Sequence, residues 1–406
     1  MKTLLAVLFL LSGNFLYAGW FAQNSGTIKN LYGVNFNHGN ENIVWACGED
    51  GVIVYTTNGG NTWVQQNSGT TNTLYSIIFM EIATAPIMAV GKNGTIVRTL
   101  LASQVWSVIP SPTTKTLRDI SEFNFIAVGD SGTMIKSSDA GLTWALLPQI
   151  TNENLNAVTG IFSPTAIGNN GVYLRAQNGT GINWQTFPSG TTENLYGLPL
   201  FYSPFIVVGG NGTVRKSTNI GTNWNTLSSG TTTKLNSIEY SVNNDSRIYI
   251  AGNNGKILKS TNGGVTFGSQ NSGTSVNLNS TFFYLDDNTG YIVGDNGTIL
   301  KTTDGGGVIT SLENVNETVN GFQLHQNYPN PFNPVTNIKF EVAQPTFVSI
   351  KVFDINGKEI SELVNKNYKA GSYEVNFNAE GLPSGVYYYR IESDNFSEVK
   401  KMVLVK

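Results

Sequence analysis

The stretch Gly129-Asp130-Ser131-Gly132-Thr133-Met134-Ile135-Lys136-Ser137-Ser138-Asp139-Ala140-Gly141-Leu142-Thr143-Trp144 decides how the chain folds. It follows the apolar run Phe125 to Val128 and reads as two short strands joined by a glycine-containing turn, then a second tight turn that opens onto an aromatic residue. In that second turn Asp139 can bond its own backbone, and Gly141 can supply a positive φ. The unit recurs. Gly-x-x-Gly pairs stand at Gly48 and Gly51, Gly91 and Gly94, Gly129 and Gly132, Gly168 and Gly171, Gly209 and Gly212, Gly252 and Gly255, and Gly294 and Gly297, spaced by 43, 38, 39, 41, 43 and 42 residues. A further stretch anchored by Leu31, Leu74, Leu117, Leu155, Leu195, Leu235 and Leu278 adds a fourth strand to each unit. Four short strands per repeat of roughly 40 residues predict a β-propeller blade, and seven copies predict seven blades.

The two ends of the array fit each other. The turn aromatic occurs at Trp20, Trp63, Trp106, Trp144, Trp184, Trp224 and Phe267 but is missing after Thr303-Asp304-Gly305-Gly306, so the seventh unit lacks its last strand. Gly19-Trp20-Phe21-Ala22-Gln23-Asn24-Ser25-Gly26-Thr27 is a spare copy of that strand, matching Trp63 to Thr70. A ring closed by the N-terminal strand follows, because closure removes sheet edges that otherwise invite pairing with other chains. The second copy, Thr99-Leu100-Leu101-Ala102-Ser103-Gln104-Val105-Trp106, departs from the turn pattern and predicts a turn of different construction.

Composition agrees with an all-β chain. Of 406 residues 44 are glycine and only 13% are charged, which favours tight turns over helices, while 40% hydrophobic residues argue against disorder. A net charge of -3 excludes binding to nucleic acid driven by overall charge. One cysteine, Cys47, and two histidines, His38 and His325, rule out an internal disulfide and a zinc site rich in His or Cys. Cys47 lies in an apolar run and reads as a buried, inert thiol. No cofactor or metal is expected.

The turn Ser/Thr-x-Asp-x-Gly-x-Thr-Trp resembles the Asp-box of sialidase-type propellers. The longer unit, Gly-x-x-Gly-x-Ile-x-Lys-Ser-x-Asp-Gly-Gly-x-Thr-Trp, is similar to that of the photosystem II assembly-factor propellers, over about residues 19 to 306. The likeness implies architecture more than task. In the assembly-factor family it also implies that motif residues build a basic surface for a partner polypeptide.

One repeat position stands out. Seven residues after the first glycine of each pair come Tyr55, Arg98, Lys136, Arg175, Lys216, Lys259 and Lys301. Rotation about the ring axis would set the six cations at one rim, where they could receive an acidic peptide, an anionic glycan or a C-terminal carboxylate. The alternative reading is that each covers an apolar blade edge and pairs with a nearby turn. A sialidase-like hydrolase is the competing function. It requires an arginine cluster and two carboxyls about 5 to 9.5 Å apart, and its candidates outside the repeat pattern are Arg118, Asp119, Glu239, Tyr240 and Arg247. The glycine pairs are no phosphate loop, since a strand rather than a helix follows them.

Both ends of the chain carry addresses. Met1-Lys2-Thr3, the apolar run Leu4 to Leu11 and a more polar stretch ending Tyr17-Ala18 predict a secretory signal peptide over residues 1–18, cut between Ala18 and Gly19. No stretch reaches the ~20 apolar residues a membrane-spanning helix needs. The propeller is expected over 19–306 and a polar linker over 307–321. Residues 322–406 then alternate as antiparallel strands, predicting a small Ig-like β-sandwich. Tyr328-Pro329-Asn330-Pro331-Phe332-Asn333-Pro334, Val352-Phe353-Asp354-Ile355-Asn356-Gly357, Ala370-Gly371, Gly381-Leu382-Pro383-Ser384-Gly385-Val386-Tyr387-Tyr388 and the terminal Lys400 to Lys406 resemble the type A C-terminal sorting domain of the type IX secretion system. That likeness implies the type IX machinery as a partner, with Pro329, Asn330, Pro331, Phe332, Gly385 and Tyr387 as motif residues, and delivery to the surface or medium of a Gram-negative, Bacteroidetes-like cell. The expectation is an exported propeller that binds or scaffolds an unknown protein or anionic glycan.

Overall fold

The computed structural model describes residues 19–37, 40–79, 86–160, 164–177, 179–199, 205–241, 244–283, 288–307, 311–312, 322–368, 371–394 and 396–405. The signal-peptide expectation, with Ala18, and His38 lie outside the described residues.

Among the described residues the propeller forms seven antiparallel sheets, six of four strands and one of five, in the order of the repeat. The first strands line a central channel and each begins at its anchoring leucine: Leu31–Asn37, Leu74–Phe79, Leu117–Ile120, Leu155–Thr159, Leu195–Gly197, Leu235–Ser241 and Leu278–Phe283. We number blades 1 to 7 by these strands. All seven leucines are fully buried. Side chains alternate across a strand, so each blade feeds two cores. Val44 and Ala46 pack toward blade 7, whereas Trp45 and Cys47 on the same strand pack toward blade 2. Corresponding cores fill the other junctions, and Val34 and Phe36 of blade 1 meet Phe282, Tyr291 and Val293 of blade 7, which closes the ring. Burial raises the Cys47 thiol well above its usual range, as an inert core cysteine requires.

The split blade is assembled as its sequence predicts. Phe21–Gln23 pairs antiparallel with Ile299–Thr302, setting Phe21 opposite Lys301 and Gln23 opposite Ile299. Trp20 enters the core between blades 6 and 7, edge-on to Phe283, and its indole N–H donates to Gln270. Blade 6 gains a fifth strand, Ser311–Leu312, beside Gly268–Gln270.

The two turns of the repeat have separate tasks. At Gly51 (φ +72°) a Cβ would lie 2.1 Å from the Thr70 carbonyl oxygen, and at Gly48 one would lie 2.0 Å from that of Asn30, so this pair lets three backbone segments converge. In the Asp-box turn Asp139 accepts from Ser137 Oγ and from the Thr143 N–H and Oγ1, and the Ser137 hydroxyl oxygen accepts the Gly141 N–H. Blade 2 does without it, as expected: Thr99 Oγ1 donates to the Val105 carbonyl, and Gln104 takes φ +52°.

The tail packs a three-stranded sheet, Gln323–Leu324, Val335–Val342 and Gly371–Asn378, against a four-stranded one of Thr346–Phe353, Glu359–Tyr368, Gly385–Ser393 and Phe396–Leu404. Ile338, Phe340, Ile350, Val352, Tyr389 and Met402 form its core. Asn356-Gly357 turns between two of these strands, with Asp354 accepting the N–H groups of Asn356 and Lys358.

Candidate functional site

The six cations of the repeat all lie on third strands, and they are engaged. Arg98 donates to the carbonyl of Ala140, Arg175 to Ile220, Lys216 to Gly263, Lys259 to Gly305 and Lys301 to Gly59. Each acceptor belongs to the second turn of the next blade, so the side chain ties neighbouring blades together. Lys136 reaches Asn124 in its own blade. Tyr55, the exception in the column, faces the exceptional turn of blade 2 and accepts a hydrogen bond from Gln104. Lys259 is buried, and desolvation followed by the Arg247 charge lowers it to about 8.

The ring encloses a central channel of about 380 Å³, lined by the first strands of all seven blades. The residue after each anchoring leucine faces it: Tyr32, Tyr75, Arg118, Asn156, Tyr196, Asn236 and Asn279. Lys234, just before Leu235, lies 3.7 Å over the ring of Tyr196, and burial together with the Arg118 charge lowers its pKa. Arg118 is held by Asp130 through a 2.6 Å Nε contact. Tyr32 and Tyr75 stand with ring centres 5.3 Å apart. Two cations, three phenols and three carboxamides thus converge on the channel.

One residue further along, the column reads Gly33, Ser76, Asp119, Ala157, Gly197, Ser237 and Ser280, so Asp119 is a lone carboxyl in a ring of small residues. It accepts from Ser76 Oγ at 2.7 Å and from the Val158 N–H at 2.8 Å, linking three blades. Burial raises it to about 6 against those two bonds, with a smaller push from Glu122. Glu122 and Glu239 also line the channel, both buried, the former bonded to Asn35 and the latter to the Tyr240 N–H. Of the hydrolase candidates, Arg118, Asp119 and Glu239 therefore line the same channel. Tyr240 does not, because strand alternation turns it into the core between blades 5 and 6. Arg247, on the second strand of blade 6, is not among the channel's lining residues. Among the described residues no group of three His, Cys, Asp or Glu side chains is placed to hold a metal.

In the tail, the proline-rich segment is stitched to the last strand. Asn330 Oδ1 accepts the Val403 N–H, Phe332 exchanges backbone bonds with Val403 and Val405, and the Phe332 ring is buried against Phe377. The Tyr328-Pro329 and Asn330-Pro331 peptide bonds are cis. Gly385 pairs with Leu404, and the Tyr387 hydroxyl donates to the Pro383 carbonyl. Residues 326–406 match the family described as "Secretion system C-terminal sorting domain". The tail is a match to a sorting domain. Type IX sorting tails of this kind mark exported proteins, and none of the described helices is long and apolar enough to cross a membrane.

Ahead of the sorting domain, residues 205–303 match the family "Photosynthesis system II assembly factor YCF48". Two solved structures share the propeller fold. "YCF48 from Cyanidioschyzon merolae" is 18% identical with a TM-score of 0.59, covering 70% of this chain and 99% of that one. "YCF48 bound to D1 peptide" is 20% identical with a TM-score of 0.60, covering 71% and 97%. No curated protein matches the chain.

Sequence reading missed Tyr32, Tyr75, Glu122, Tyr196 and Lys234. A signal for three of them exists in the sequence: Tyr32, Tyr75 and Tyr196 each follow an anchoring leucine, in a column otherwise filled by Arg118 and three asparagines.

Proposed function

We propose that this exported propeller is a binding module whose channel receives an anionic segment of a partner polypeptide, with Arg118 and Lys234 opposing its charge and Tyr32, Tyr75 and Tyr196 packing its body. The observation that carries the reading is the convergence of those five side chains on one channel in a chain with few charges. Tyrosine and arginine are the residue types that dominate binding sites, and a partly buried lysine over an aromatic face is arranged to meet an anion. A propeller of the same fold bound to a peptide supports a polypeptide ligand over a glycan. Five of the six cations of the repeat serve on this reading as ties between blades. The export signal over residues 1–18 and the type IX tail would deliver the module to the surface or medium of a Bacteroidetes-like cell.

The test is a library of immobilised peptides bearing acidic residues or free C-terminal carboxylates, probed at low and high salt with the chain and with its Arg118→Gln, Lys234→Gln variant. Salt-sensitive binding lost in the variant supports the assignment, and equal binding by both removes the channel from it.

A glycan-cleaving activity is the second reading, favoured by Asp119, raised to about 6 beside Glu122 in the channel that holds Arg118. Arg118 is the only arginine lining that channel among the described residues, which weighs against it. Hydrolysis of sialosides by the parent but not by Asp119→Asn would establish the activity.

A further inference from the structure

At the seam of the ring a backbone nitrogen from the N-terminal segment faces a carboxylate of the last blade. In blades 1, 3, 5 and 6 the residue before the turn aromatic donates its backbone N–H to the turn Asn or Asp: Thr62 to Asn58 at 3.0 Å, Thr143 to Asp139 at 2.8 Å, Asn223 to Asn219 at 2.8 Å and Thr266 to Asn262 at 2.9 Å. In blade 7 that donor comes from the other end of the chain. Gly19, immediately before Trp20, sets its nitrogen 3.2 and 3.1 Å from the two carboxylate oxygens of Asp304. The same carboxylate accepts from Thr302 Oγ1 and the Gly307 N–H, which fixes its orientation.

We propose that Gly19 is the first residue of the mature protein and that its α-ammonium, created by removal of the signal peptide, pairs with Asp304 to lock the split blade. The inference rests on the export reading. Hydrolysis of the Ala18–Gly19 bond adds water across it: the Ala18 carbonyl leaves as a carboxylate, and the Gly19 nitrogen, with a pKa of about 7.7–8.0, takes up a proton at neutral pH. A hydrogen bond from one amide N–H to a carboxylate then becomes an ion pair with three N–H donors. The turn site in blade 7 carries Asp, as blade 3 does at Asp139, where blades 1, 5 and 6 carry Asn58, Asn219 and Asn262. Either side chain accepts from an amide donor, and of the two only the carboxylate carries the charge that opposes an ammonium.

Two measurements separate the parts of this proposal. Intact mass of the protein recovered after export should correspond to a start at Gly19, and any other first residue overturns it. Independently of export, the chain from Gly19 to Lys406, released from a tag that leaves Gly19 first, is compared by amide hydrogen exchange with the same chain retaining Ala18. Exchange over 21–23 and 299–301 should be about two- to fivefold slower when the amine is free, the size expected of an exposed ion pair. Asp304→Asn, a residue the same turn accommodates elsewhere, should abolish that difference. Equal exchange in the two chains, or a difference that survives in Asp304→Asn, contradicts the pairing.

Discussion

Lys216 shows how a repeated charge can serve packing. Its amino group lies 2.7 Å from the Gly263 carbonyl of the next blade, and the same tie recurs at Lys259 and Lys301. Lys216→Met keeps the stem but leaves the carbonyl short of a partner, so we expect a loss of about 1–2 kcal/mol in denaturant unfolding. A residue held only for ligand contact would leave stability unchanged. Asp119 carries a pH signature. Its folded pKa of about 6 lies above the ordinary 3.8, so between those values the native state holds a proton that the unfolded chain has released. The contribution of Asp119 to stability is therefore most favourable below about 4 and falls as pH rises through 6. Asp119→Ser, matching Ser76, Ser237 and Ser280 in the same column, should remove about 2 kcal/mol of that pH dependence, measured by urea unfolding at pH 4 and pH 7. An unchanged slope would place the titration elsewhere. The cation column was legible in the sequence because one residue type recurs in it. Its carbonyl partners were not, since a backbone acceptor in the next blade leaves no mark on residue identity.

At the scale of elements, the Gly-x-x-Gly turn was the most legible feature, and the structure supplies its physical reason. Both glycines admit a carbonyl from another segment where a Cβ would stand. Gly51→Ala puts a methyl 2.1 Å from the Thr70 oxygen at a φ of +72°, and neither atom can yield without moving backbone. We expect a cost of about 3 kcal/mol or more, seen as an earlier unfolding midpoint. A variant as stable as the parent would mean that the turn can reopen. The blade 2 turn was legible as an exception, and the structure adds that Tyr55 complements it through Gln104. Tyr240 was misplaced because a position outside the repeat pattern still obeys strand alternation, and its neighbour Glu239 takes the channel side.

For the whole molecule, the seven-part repeat and its split copy determined the topology, because a ring leaves the last blade no partner other than the N-terminal strand. The channel was less legible. Its lining comes from columns whose identities vary from blade to blade, and only closure brings Arg118 of blade 3 within electrostatic reach of Lys234 at blade 6. The sorting domain implies an exported chain, while the binding we propose for it rests on that assembled channel. The most direct measurement is the affinity of an acidic peptide selected from the library for the full chain and for its Arg118→Gln, Lys234→Gln variant, with melting temperature as the control for folding. The account predicts binding weakened about ten- to hundredfold, roughly 1.4–2.7 kcal/mol, at an unchanged melting temperature. Equal affinity in parent and variant would contradict it.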